Sequence, residues 1–159
     1  MSGALDRTAI VPLLLHLRYS GDMDERLESS LITFAKAHQD VWGVFIFGSQ
    51  VQGRADESSD VDVAVYVDPT AIPKDVLSLR LNYIVELEQT IGKRVDVVLL
   101  NAAPPILRHQ IFRKGKLIFE RYPARVRRFI GDALVEFYDE IVTLEAAQIT
   151  LIRRHLLGR

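Results

Sequence analysis

The chain has 159 residues, the length of one domain, and its 48% hydrophobic and 26% charged residues are ordinary for a globular protein with a sizeable core. It contains no cysteine, which excludes disulfides and thiolate metal sites. Its net charge of −1 excludes a molecule that traps polyanions with its whole surface. Near the N-terminus, residues 10–15 form an apolar run broken by Pro12. That run is far shorter than the roughly 20 residues of a membrane span, and the pattern of a signal peptide is missing. The expectation is a cytoplasmic protein with no membrane partner.

In chain order, residues 22–38 read as a helix, with Leu27, Leu31, Phe34, Ala35 and His38 on one side at spacings of three and four. The run VWGVFIF over residues 41–47 is rich in β-branched and aromatic residues and reads as a buried strand. Residues 48–59 are polar, contain Gly48 and Gly53, and are expected to form no regular element. Residues 60–67 alternate, with Asp60, Asp62, Ala64 and Tyr66 on one face and four valines on the other. A helix is predicted over residues 74–91, with Leu77, Leu81, Ile84, Leu87 and Ile91 as its apolar stripe and Gly92 as its stop.

Residues 94–100 (RVDVVLL) form the third predicted strand. Pro104-Pro105 opens a short helix that ends near Gly115, and residues 116–120 are an expected edge strand. From about residue 124 to 157 the pattern is helical, with Val126, Phe129, Ala133, Leu134, Phe137, Ile141, Leu144, Leu151 and Ile152 on one stripe. The expected fold class is α/β (α+β): a small mixed sheet flanked by helices, with a long C-terminal helix. Residues 1–159 are read as a single domain, with a core over about 22–122 and a helical extension over about 123–159. So long an apolar stripe on a small domain suits packing against a second chain, so an oligomer is expected.

The chemistry concentrates between residues 48 and 68 (GSQVQGRADESSDVDVAVYVD). Asp60 and Asp62 stand two apart on a strand, hence on one face and roughly 6.5–7 Å apart at the backbone. Like charges so placed raise each other's pKa. A divalent ion relieves the repulsion, and carboxylate oxygens are the ligands magnesium takes. Asp96 points away from the face of Val95 and Val97 and is a possible third ligand. Gly48 lets the backbone approach a phosphate closely, and Ser49 adds a donor. Metals beside a polyphosphate neutralise charge that develops during displacement. These parts point to phosphoryl or nucleotidyl transfer.

Gly48-Ser49, ten residues, then Asp60-Val61-Asp62, preceded by Ser59, resembles the signature of the DNA polymerase β-type nucleotidyltransferase superfamily. Within it the chain most resembles the minimal nucleotidyltransferase (MntA-like) antitoxins of HEPN–MNT systems, and RVDVVLLNAAPPILRHQIFRKGKLIFER looks like the stretch from their third catalytic strand onward. The similarity covers most of residues 30–122. The loop QVQGR departs from relatives that carry an arginine or aromatic residue directly after the serine, and Arg54 is the possible substitute. The resemblance implies a polymerase β-type fold, Mg2+ as cofactor and ATP as substrate, with AMP transferred to a tyrosine of a cognate HEPN-domain ribonuclease toxin. Gly48 and Ser49, with Ser59 and Arg54, would bind the nucleotide. Asp60 and Asp62 would hold the metal, and Asp96 would share it and help activate the attacking hydroxyl.

Plainer readings stand beside these. Strand starts commonly carry exposed acids; Asp96 can simply pair with Arg94 or Lys93; Ser59 can cap its loop; Arg54 can be a solvated surface residue. Residues 108–128 hold eight basic side chains against Glu120 alone, a charge run whose ordinary meaning is a solvated face. Aromatic residues interleave with it, but packing explains them, so nucleic acid is not the expected partner. The four histidines show no ligand spacing. Two rival functions remain: an antitoxin acting by protein binding alone, and a nucleotidyltransferase for a small-molecule or RNA hydroxyl, since fold does not fix the acceptor.

Overall fold

The computed structural model describes residues 23–51 and 59–157, with side chains as far as residue 148. The readings made above for residues 1–22, for Gly53 and for Arg54 lie outside the described residues.

Helix α1 spans Glu25–Ala37, opened by Asp24, whose side chain accepts a hydrogen bond from the Arg26 amide at 2.9 Å. Glu25 and Glu28 in its first turn and Lys36 in its last complement the helix dipole. Leu27, Leu31, Phe34 and Ala35 are buried, as their spacing predicts. The end of α1 is held from far along the chain. Nη2 of Arg121 donates to the carbonyls of Ala35 (2.6 Å) and His38 (3.1 Å), and its Nε donates to that of Val41 (3.1 Å).

Strands β1 (Val41–Phe47), β2 (Val61–Val67), β3 (Val95–Leu99) and β4 (Lys116–Glu120) form one mixed sheet in the order β3-β2-β1-β4. β1 runs antiparallel to β2 and to β4, while β2 and β3 are parallel. A parallel pair needs a crossover, which helix α2 (Val76–Ile91) supplies. The alternation along β2 sorts its residues as expected. Val61, Val63, Val65 and Val67 join Val95, Val97 and Leu99 in a core covered by α1 and α2. Ala64 and Tyr66 face a second core with Phe45, covered by helices α3 (Pro105–Lys114) and α4 (Pro123–Leu157). There the rings of Tyr66 and Phe129 stack at 3.9 Å and 7°.

The predicted stripe of α2 is corrected. Tyr83 and Leu87 are its buried residues, with Val76, Leu79, Ile84 and Ile91 packed beside them, whereas Leu77 and Leu81 are 61% and 49% exposed. Ile84, Leu87 and Ile91 sit on the covered side as expected, but the first half of the stripe turns away because Tyr83, whose hydroxyl donates to Asp40 at 3.0 Å, takes the central place. The helix starts at an Asp75 cap and ends at Gly92, whose φ of 74° is left-handed.

Two further readings change. Residues 48–50 do form a regular element, a single 3-10 turn. On α4, Val126, Ile130, Ala133 and Leu134 are buried and Phe137 stacks on His109 of α3 at 4.0 Å, but Ile141 and Leu144 of the predicted stripe are exposed, as are Tyr138 and Val142.

The basic segment is largely consumed internally. Arg108, Arg127 and Arg128 pair with Glu136, Glu120 and Asp132, Lys116 pairs with Glu28, and the Arg125 guanidinium lies 4.9 Å from the Trp42 ring centre. With Arg121 on backbone carbonyls, this run holds elements together and is not simply the solvated face that a charge run ordinarily means.

Candidate active site

β1 ends at Phe47 and turns at once through Gly48, Ser49 and Gln50. Gly48 has φ of 71°, the left-handed region that disfavours a side chain. A Cβ there would overlap the Asp62 carboxylate. The reason is register: Asp62 is the cross-strand partner of Phe47, so its side chain rises against the first residue of the turn. The sequence therefore needs glycine here twice over, for backbone conformation and for room. Ser49 follows in the same turn, which packs against β2.

On the other side of β2, Asp62 is the register partner of Asp96 in β3. Neighbouring strands lie about 4.7–4.9 Å apart, so the two carboxylates project side by side. Asp60 directly precedes β2, which begins at Val61. The electrostatics record the crowding. Burial raises the pKa of Asp62 above its ordinary value, and the charges of Asp96 and then Asp60 raise it further.

The outer two acids each face an arginine. Arg94 Nε lies 3.5 Å from an Asp60 oxygen, and Arg80 Nη2 donates to Asp96 Oδ1 at 2.6 Å. Among the described residues, no three His, Cys, Asp or Glu side chains converge closely enough to hold an ion. The structure thus brings Gly48, Asp62, Asp96 and Asp60 to one end of the sheet, with Ser49 and Ser59 next to them in sequence. Arg54 lies outside the described residues.

Sequence reasoning missed Arg80. It paired Asp96 with Arg94 or Lys93, but Arg94 turns to Asp60 and the partner of Asp96 comes from α2. A signal was present: Arg80 falls within the helical stripe of Val76, Leu79, Tyr83 and Leu87, where a cation needs an acceptor.

The sequence pattern of the Polymerase beta, Nucleotidyltransferase family matches residues 29–124, more than half of the chain. The chain belongs to that family. This nucleotidyltransferase is 39% identical over 71 residues to a Methanocaldococcus jannaschii protein whose name gives protein adenylyltransferase as its expected activity, a match spanning 44% of this chain and 71% of that one. In fold it is similar to a chain of a toxin–antitoxin crystal structure with AMP-PNP, at TM-score 0.62 and 22% identity, over 79% of this chain and 97% of the other. It is also similar to a chain of the tri-AMPylated Shewanella oneidensis HEPN toxin in complex with an MNT antitoxin, at TM-score 0.58 and 20% identity, over 79% and 95%. At these identities the likeness establishes the polymerase β-type fold. No helix among the described residues is long and apolar enough to cross a membrane.

Proposed function

We propose that this nucleotidyltransferase is a cytoplasmic antitoxin that transfers AMP from ATP to a tyrosine of a cognate HEPN-domain toxin. The observation that carries the reading is the packing of the Gly48 turn against Asp62, with Asp60 and Asp96 beside it, inside a nucleotidyltransferase domain. Like structures include a toxin–antitoxin complex with AMP-PNP and an AMPylated HEPN toxin with its MNT antitoxin, which favours a protein acceptor.

The residues fit magnesium. They are hard oxygen donors, and the repulsion that raises the Asp62 pKa is what a divalent cation relieves. Asp60, Asp62 and Asp96 are not gathered round one point in this structure; they would hold the ion by closing on it, and it would supply charge neutralisation for the triphosphate. Backbone amides of the Gly48-Ser49 turn and the Ser49 hydroxyl bind phosphate oxygens, with Ser59 and Arg54 adding contacts. Asp96 accepts the proton of the attacking tyrosine. The phenolic oxygen then bonds to the α-phosphorus, and the bond from that phosphorus to the pyrophosphate oxygen breaks, with pyrophosphate leaving on its electron pair.

Incubation with α-labelled ATP, magnesium and the HEPN protein encoded beside this chain tests the reading. Label on a toxin tyrosine with wild type, and none with Asp60→Ala/Asp62→Ala, is the expected result. Absence of label from wild type, or equal label from the double variant, contradicts it.

A second reading draws on the exposed Tyr138, Ile141, Val142 and Leu144 of α4: neutralisation of the partner by contact alone. Rescue of growth by the double aspartate variant would favour it; loss of rescue with binding retained would favour catalysis.

A further inference from the structure

β3 is an edge strand, so one side of its backbone meets no other strand. Two side chains of α2, spaced eight residues apart on one helical face, reach round that edge. Glu88 Oε1 accepts the Val95 amide at 3.1 Å, and Arg80 Nε donates to the Val97 carbonyl at 2.6 Å. They differ in one respect. Glu88 stops at the backbone, whereas Arg80 extends its second arm to Asp96 Oδ1 at 2.6 Å.

The two hydrogen bonds use different nitrogens of one planar guanidinium, so fixing Nε on the Val97 carbonyl also fixes where Nη2 can stand. Asp96 is thereby held from a rigid helix rather than by its own strand alone. Both partners are half-exposed, and an ion pair of that kind adds little to stability. Its geometric consequence is larger: one oxygen of Asp96 is engaged, and the other is left to work beside Asp62, the register partner of Asp96.

We propose that Arg80 is the positioning residue for Asp96, a clamp from α2 that orients this carboxylate toward Asp62 by tying it to the backbone of Val97. The inference rests on the nucleotidyl-transfer reading for its consequence in catalysis, and on the two hydrogen bonds for its geometry. Lysine at position 80 keeps the charge but cannot span both acceptors in a fork. Glu88 serves as the control, since it caps the same edge without touching Asp96.

The test compares Arg80→Ala, Arg80→Lys, Glu88→Gln and Asp96→Asn in AMP transfer, with melting temperatures measured in parallel. Misplacement of a reacting group supports a loss of kcat of about tenfold or more in both Arg80 variants, with KM for ATP within about twofold. Glu88→Gln should shift the melting temperature while leaving kcat unchanged, and Arg80→Ala should cost nothing further in the Asp96→Asn background. Restoration of kcat by Arg80→Lys, an equal kcat loss in Glu88→Gln, or additive losses with Asp96→Asn would overturn the proposal. A crystal structure of Arg80→Ala decides the geometry without any assay: the Asp96 carboxylate should leave its present rotamer, and an unmoved carboxylate would overturn the proposal. If wild type transfers nothing, the nucleotidyl-transfer reading fails, while that crystal structure still decides whether Arg80 orients Asp96.

Discussion

Gly48 and Asp62 occupy the same small volume: a methyl group on the glycine would overlap the carboxylate of the aspartate. The contact separates two glycines that backbone angle alone makes equivalent. Gly92, at φ of 74°, has nothing within 4 Å of where its Cβ would stand. Gly92→Ala should therefore cost only the left-handed penalty of about 1–2 kcal/mol and leave catalysis intact. Gly48→Ala carries a similar backbone cost and displaces Asp62, so AMP transfer should fall about a hundredfold or more. Thermal melts and transfer assays on the two variants check this.

Asp62 is expected to weaken the metal-free protein. Its pKa is raised in the folded state, so its proton is held more tightly there than in the unfolded chain. The relative penalty is absent below the ordinary carboxylate pKa, where both states are protonated. It grows as pH rises through the folded pKa and is complete above it. Asp62→Asn should accordingly raise the melting temperature at neutral pH in the presence of a chelator, with the gain disappearing as pH falls into the ordinary carboxylate range. Melting curves across that interval give the sign directly.

Arg121 should matter more to the fold than any other residue of the basic segment. It joins the end of β4 to the end of α1 and to the start of β1 by donating to the carbonyls of Ala35, His38 and Val41. Charged donors to partly buried carbonyls contribute about 1.5–3 kcal/mol each, less where water can replace them. Arg121→Met should destabilise by about 2–3 kcal/mol with KM for ATP unchanged, measured by denaturant titration.

Much of this was legible from the chain. Alternation over residues 60–67 assigned the aspartates and valines to opposite faces because a strand has period two. The Gly-Ser turn and the paired acids marked the candidate site. The helix on the parallel crossover was harder. Leu77 and Leu81 satisfied a helical stripe as well as Val76 and Leu79 did, and only the position of β3 decides which stripe is covered. Arg80 was missed for a related reason: its acceptors lie 16 and 17 residues away, on a strand whose edge no local pattern reveals. Arg121 was counted as part of a charge run because its acceptors are backbone carbonyls, which composition does not mark.

The outer half of α4 can be tested as the surface that meets the toxin. Val142 and Leu144 are 64% and 56% exposed, so Val142→Glu/Leu144→Glu should change stability by no more than about 0.5 kcal/mol per site. If contact through this helix recruits the toxin, pull-down of the HEPN protein should weaken while Mg·ATP binding persists. Unchanged pull-down would assign the exposed residues no part in the complex.

Asp62, seated against the Gly48 turn, and Asp60, just before β2, are proposed to hold a divalent cation with ATP. Titration calorimetry of ATP into the protein with magnesium present tests this most directly. Wild type should bind with measurable heat, and Asp60→Asn/Asp62→Asn should bind at least about tenfold more weakly while melting no lower than wild type. Equal affinity in the two proteins, or no binding by wild type, would contradict the account.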